Sequence, residues 1–74
     1  MRIVSGAQIE GDFEGMDFDR IFELTNGEKW QQAEGRYRYQ YRYRPHARVV
    51  EERGEYYLHV DGFGEKIRVR KVSA

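Results

Sequence analysis

The stretch from Arg36 to Pro45 reads R-Y-R-Y-Q-Y-R-Y-R-P. Tyr37, Tyr39, Tyr41 and Tyr43 alternate with Arg36, Arg38, Gln40, Arg42 and Arg44. A period of two among β-formers is the mark of a strand with two chemically different faces. One face is a tyrosine wall and the other a guanidinium row. At about 3.3 Å per residue the alternation spans roughly 30 Å, so the strand is expected to bend and to serve two parts of one barrel. Pro45 has no backbone N–H to give to a ladder and ends it.

The rest of the chain is punctuated as an all-β protein. Residues 7–14 alternate, with Ala7, Ile9, Gly11 and Phe13 on one face and Gln8, Glu10, Asp12 and Glu14 on the other. Residues 15–19 read as a turn. Residues 20–25 make a short strand with Phe22 and Leu24 inward. Asn26-Gly27 is the strongest hairpin signal and predicts a type I′ turn, which needs positive φ at both positions. The return strand carries Trp30. Its even number puts it out of phase with the odd tyrosines, so a bulge at Gly35, between Ala33 and Tyr37, is expected to bring Trp30 to their side. Further strands are read at 47–52, 55–60 and 66–72, joined by Arg53-Gly54 and by Asp61-Gly62-Phe63-Gly64.

These readings predict a single domain over residues 1–74, a small antiparallel SH3-like barrel of five or six strands. An OB-like barrel is the alternative, but such barrels usually carry a helix and the chain shows no helical period. The expected core is Ile9, Phe13, Phe22, Leu24, Trp30, Tyr56, Leu58, Val60, Ile67 and Val69, with Tyr39 and Tyr41 packed against it. With 74 residues and no cysteine, no disulfide or thiolate metal site supports the fold. Large rings, 15% of the chain, are expected to supply the buried area instead.

Charge sums to zero but is unevenly placed. Residues 1–34 hold eight acids against three bases, residues 35–50 five bases and no acid, and residues 51–74 five of each. The bland reading has the arginine row neutralised by carboxylates such as Glu10, Asp12, Glu14 or Glu51. The sharper reading has it face an external polyanion. Zero net charge favours the bland one, because small nucleic-acid binders are usually basic overall.

The segment F-E-L-T-N-G-E-K-W-Q-Q, Phe22 to Gln32, followed by Y-x-Y-x-Y-x-Y-x-P, resembles a family of short uncharacterised bacterial proteins that share an N-G-x-x-W hairpin. The resemblance implies a small SH3-like barrel and adds nothing on activity.

No constellation for catalysis stands out. His46 and His59 lack ligand spacing, so no metal is expected. Glu10, Asp12 and Glu14 read as a solvated acidic row. Ser5, Thr25 and Ser73 have no histidine at triad spacing, and no helix follows Gly62-Phe63-Gly64 to make a phosphate loop. The expectation is a non-enzymatic, monomeric interaction module without cofactor, acting on an unknown protein partner. Single-stranded nucleic acid is the alternative partner. The residues named for binding are Arg36, Arg38, Arg42 and Arg44 with Tyr37 and Tyr43. No apolar run reaches the roughly 18 residues of a membrane span and no export signal follows Met1, which makes the cytoplasm the expected location.

Overall fold

The computed structural model describes residues 1–73 and is built of antiparallel strands, with no helix among the described residues. There are eight strands rather than five or six: β1 (Arg2–Gln8), β2 (Asp12–Met16), β3 (Ile21–Glu23), β4 (Lys29–Gln32), β5 (Arg38–Tyr43), β6 (His46–Glu52), β7 (Glu55–Val60) and β8 (Lys66–Ser73). Six form one sheet in the order β1-β6-β7-β8-β4-β3. An Ile9–Leu24 bridge joins its two ends, supported by Glu10 N–H to the Glu23 carbonyl and Thr25 N–H to the Gln8 carbonyl, each 2.8 Å. The sheet thereby closes on itself at that point into a small barrel-like fold. β2 and β5 pair separately as a two-stranded ribbon over it.

The alternation read at 7–14 is real but belongs to two strands. Glu10 and Gly11, with Gly11 at φ 79°, break it and turn β2 away from β1. Every residue expected in the core is buried except Tyr56, which is half-buried and packs on Trp30 at 5.4 Å. Met16, Ala47, Val49 and Phe63 join them. Phe63 stands in the glycine-rich turn after β7 and meets Phe13 edge-on at 5.2 Å. Phe13 also lies 6.1 Å from Phe22, so one ring of β2 links the ribbon to both ends of the barrel core.

Two turns exchange the roles expected of them. Asn26 is not at positive φ, while Gly27 is, at 91°. Gly27 N–H donates to the Leu24 carbonyl at 3.0 Å and Leu24 N–H to the Glu28 carbonyl at 2.9 Å. That is the pattern of a three-residue loop with a glycine bulge, not a type I′ turn. The doubly positive turn sits at Arg53 (54°) and Gly54 (84°), between the paired Glu52 and Glu55. The Glu51 carboxylate accepts the Gly54 N–H at 2.7 Å and helps to hold it.

A polar cluster explains what Asn26 does instead. Its Nδ2 donates to Ser5 Oγ at 2.9 Å, and Ser5 Oγ donates to Glu28 Oε1 at 2.6 Å. The same Oε1 accepts the Trp30 indole N–H at 3.3 Å, and Lys71 Nζ lies 3.6 Å from Oε2. β1, the hairpin loop, β4 and β8 are joined through one carboxylate. The Ser5 hydroxyl bond, against the upward push of burial and helped by Trp30 and Lys71, holds the Glu28 carboxyl below its ordinary 4.5.

Arginine at positive φ carries a steric cost that asparagine and glycine largely avoid. Arg53→Asn is therefore expected to stabilise by about 1 kcal/mol, while Gly27→Val costs more than about 1 kcal/mol, both read from urea midpoints. The lowered Glu28 value means that the folded state binds fewer protons than the unfolded one through the carboxylate range. Its contribution is complete above about 4.5 and lost as pH falls through the folded value. Urea midpoints should fall in that window, and Glu28→Gln should fall less.

Candidate functional site

The tyrosine wall faces solvent. Tyr37, Tyr39, Tyr41 and Tyr43 are 63%, 60%, 51% and 67% exposed. The expectation that Tyr39 and Tyr41 pack on the core is overturned, and with it the bulge at Gly35. β4 ends at Gln32, and residues 33–37 cross as an irregular segment to β5. No change of face is needed. Trp30 and Gln32 are buried and even-numbered, and the even side chains of β5, Arg38, Gln40 and Arg42, contact the turn at Gly62 and Phe63.

The core explains this outcome. Phe13, Met16 and Phe63 already fill the space beneath the ribbon, each only 1% exposed, which leaves no room for a second row of rings. Long arginine stems can lie over such a surface and carry their charges to its rim. Arg38 lies over the Phe63 ring at 5.1 Å and pairs with Glu65. Arg36 pairs with Glu34 and, at 2.9 Å, with Glu65. Its Nη2 also donates to the Lys66 carbonyl at 3.0 Å. Gln40 Nε2 donates to the Gly62 carbonyl at 2.7 Å. Arg42 covers Gly62 so closely that a Cβ there would come within 2.5 Å of its Nη1. Arg44, at φ 46°, donates its N–H to the Gly11 carbonyl at 2.9 Å and has a buried Nε without a partner.

The acids expected to neutralise this row do other work. Glu14 pairs with Arg20 at 3.4 Å, and Glu51 stands 3.8 Å from Arg2. Asp12 accepts the Tyr41 hydroxyl at 2.9 Å. Glu34 and Glu65 are the partners of Arg36 and Arg38 instead. Burial pushes the Glu34 carboxyl up, but the Arg36 guanidinium and the Arg68 amide outweigh it and leave it lowered. These pairs are half-exposed, so they position the strand more than they stabilise it.

β2 carries β5, and their contact is close. Gly15, at φ 93°, has no room for a side chain. A Cβ there would collide with the Arg38 carbonyl oxygen and lie 2.9 Å from the Gln40 nitrogen. The register of the ribbon shifts between Phe13 and Gly15. Buried Gln32 fixes the approach to β5. Its Oε1 accepts the Asp17 N–H at 2.9 Å, and its Nε2 donates to the Glu34 and Arg36 carbonyls at 3.0 and 2.8 Å. Phe18, 62% exposed, lies against Gly35.

The histidines stay apart from this surface. His59 is half-buried on the outer face of β7, between Arg48 and Lys66 in the ladder. Burial, then Arg48, pushes its imidazole below the ordinary 6.5. No group of three or more His, Cys, Asp or Glu side chains suited to a metal occurs among the described residues.

Comparison with protein-family models, with curated proteins and with solved structures finds no match. The exposed tyrosine row is thus read from its own geometry.

Gly15→Ala should break the ribbon selectively. The β2–β5 amides should lose hydrogen-exchange protection while those of β6 and β7 keep theirs. The Tyr41–Asp12 bond favours the protonated phenol, so Tyr41 should titrate above its ordinary 10.0. Asp12→Asn should bring it down, read from the ring carbon shifts.

Proposed function

We propose that this chain is a non-catalytic interaction module, a monomeric SH3-like barrel that docks a protein partner on the tyrosine face of β2–β5. The observation that carries the reading is the row of four tyrosines, each more than half exposed. At 150–250 Å² per ring, such a row leaves roughly 400–600 Å² of amphipathic surface, as large as the largest patch of a typical monomer. Tyrosine gives contact area at small entropic cost and a hydroxyl for orientation, which is why interfaces use it. The barrel beneath is closed and tightly packed, so the face is presented by a rigid support.

Single-stranded nucleic acid is the second reading, favoured by one observation. Exposed rings in a row are platforms on which bases stack, and half-exposed arginines flank this one. Asp12 within the row and the engagement of Arg36 and Arg38 with Glu34 and Glu65 weigh against it.

The test is selection of displayed random peptides on the native chain, with counter-selection on a Tyr39→Ser/Tyr41→Ser/Tyr43→Ser variant. The exposed positions should leave the variant folded. Peptides that bind only the native chain are the expected result. A library that yields none would contradict the proposal. Oligonucleotide affinity at about 150 mM salt should be no better than about 10⁻⁴ M. Submicromolar, steeply salt-dependent binding would favour the second reading instead.

A further inference from the structure

Three features of the tyrosine face point to the chemistry of its occupant. The first is the distribution of unpaired charge. Among the described residues Glu10, Asp12, Asp19 and Glu23 are the acids without an ion-pair partner, while of the unpaired bases near the row Arg42 lies over Gly62 and Arg44 has its Nε buried, both away from the tyrosine rings. Asp12 stands within the row, opposite Tyr43 and bonded to Tyr41. Glu10 and Glu23 are held side by side where β2 leaves the barrel, by the Glu10 N–H to Glu23 carbonyl bond.

The second is what covers the aromatic rings elsewhere. Phe63 has Arg38 over it at 5.1 Å, Tyr57 has Lys66 at 4.3 Å and Trp30 has Lys71 at 6.0 Å. The four exposed tyrosines have no such cation among the described residues. Their faces carry negative potential that the chain itself leaves unmatched.

The third is the edge. β5 has β2 as its only strand neighbour among the described residues, so one side of it carries no ladder. An added strand would repeat every two residues, as the tyrosines do.

We infer that the tyrosine face takes a basic, extended polypeptide segment, laid along β5 with arginine or lysine at alternate positions. Its cations would rest on the rings and reach Asp12, while its backbone would extend the ribbon. This rests on the docking reading above and adds the charge and conformation of the partner. A phosphate backbone would meet the Asp12 carboxylate and so fits less well.

The test is NMR titration of the full chain with three probes. One is a peptide of about ten residues alternating arginine and threonine. The second is the same peptide with glutamate for arginine, and the third is an oligothymidine of about ten nucleotides. The arginine peptide should shift the amides of residues 38–43 and bind at least about tenfold tighter than the glutamate peptide, weakening with salt. Asp12→Asn should weaken it several-fold, and Tyr39→Ser/Tyr41→Ser should remove it. Equal or tighter binding of the glutamate peptide or the oligonucleotide at these residues would overturn the inference and leave the face a docking site. Concentration-dependent shifts of the same amides without any probe would make a second copy the occupant and overturn it too. If no probe moves them, the inference falls. The peptide selection then decides separately whether the docking reading falls as well.

Discussion

The architecture turns on the close approach of Gly15 to the backbone of β5. Only a residue without a Cβ can lie against the Arg38 carbonyl at that point. Because it does, β2 can bend, send Phe13 and Met16 into the barrel and still hold β5 alongside. β5 has no side chain in the core cluster. It is attached through its ladder to β2 and through Arg38, Gln40 and Arg42 on the turn around Gly62 and Phe63. The exposure of the tyrosines follows from that attachment. With the even face of the strand anchored on the barrel, the odd face can only look outward.

Much of the fold was legible because large apolar residues at period two leave few arrangements. Ile9, Phe13, Phe22, Leu24, Leu58, Val60, Ile67 and Val69 lie where their alternation placed them, and Trp30 is buried as expected but without the bulge at Gly35. The tyrosine strand was misread because alternation establishes two faces without saying which is inside. Hydropathy favours tyrosine over arginine for the interior, and that preference holds only while the interior has space. Phe63 took the space, and nothing in a glycine-flanked phenylalanine announces a core residue. The turns failed for a related reason. Asn-Gly is the best sequence for two positive φ values, but Asn26 is drawn into hydrogen bonds with Ser5 and Glu28. Arg53 takes the demanding conformation because β6 and β7 pair in register up to Glu52 and Glu55.

The candidate site was only half legible. Tyr37 and Tyr43 read as binding residues beside the arginines, whereas Tyr39 and Tyr41 read as packed against the core and are exposed instead. The acids near it were expected to meet Arg36, Arg38, Arg42 and Arg44 across strands, and Asp12 lies beside Tyr41 instead. Two polar groups that steady the fold, buried Gln32 and half-buried Glu28, could not be read from pattern. Gln32, 1% exposed, stands in a strand whose polar residues suggested an outer face, and its amide bonds three backbone groups around the crossing to β5. Glu28 gathers Ser5, Trp30 and Lys71 from three strands. Polar groups of this kind are specified by partners distant in the chain, which a local pattern does not reveal.

The central claim is that the odd face of β5 is outside and its even face is seated on the barrel. A soluble paramagnetic agent, added while the ring protons are observed by NMR, measures this directly. The account predicts strong relaxation of the Tyr37, Tyr39, Tyr41 and Tyr43 rings, with Phe13, Phe63 and Trp30 protected. Protection of Tyr39 and Tyr41 to the level of Phe13, with cross-peaks from their rings to Leu58 or Ile67, would place the tyrosines in the core and contradict it.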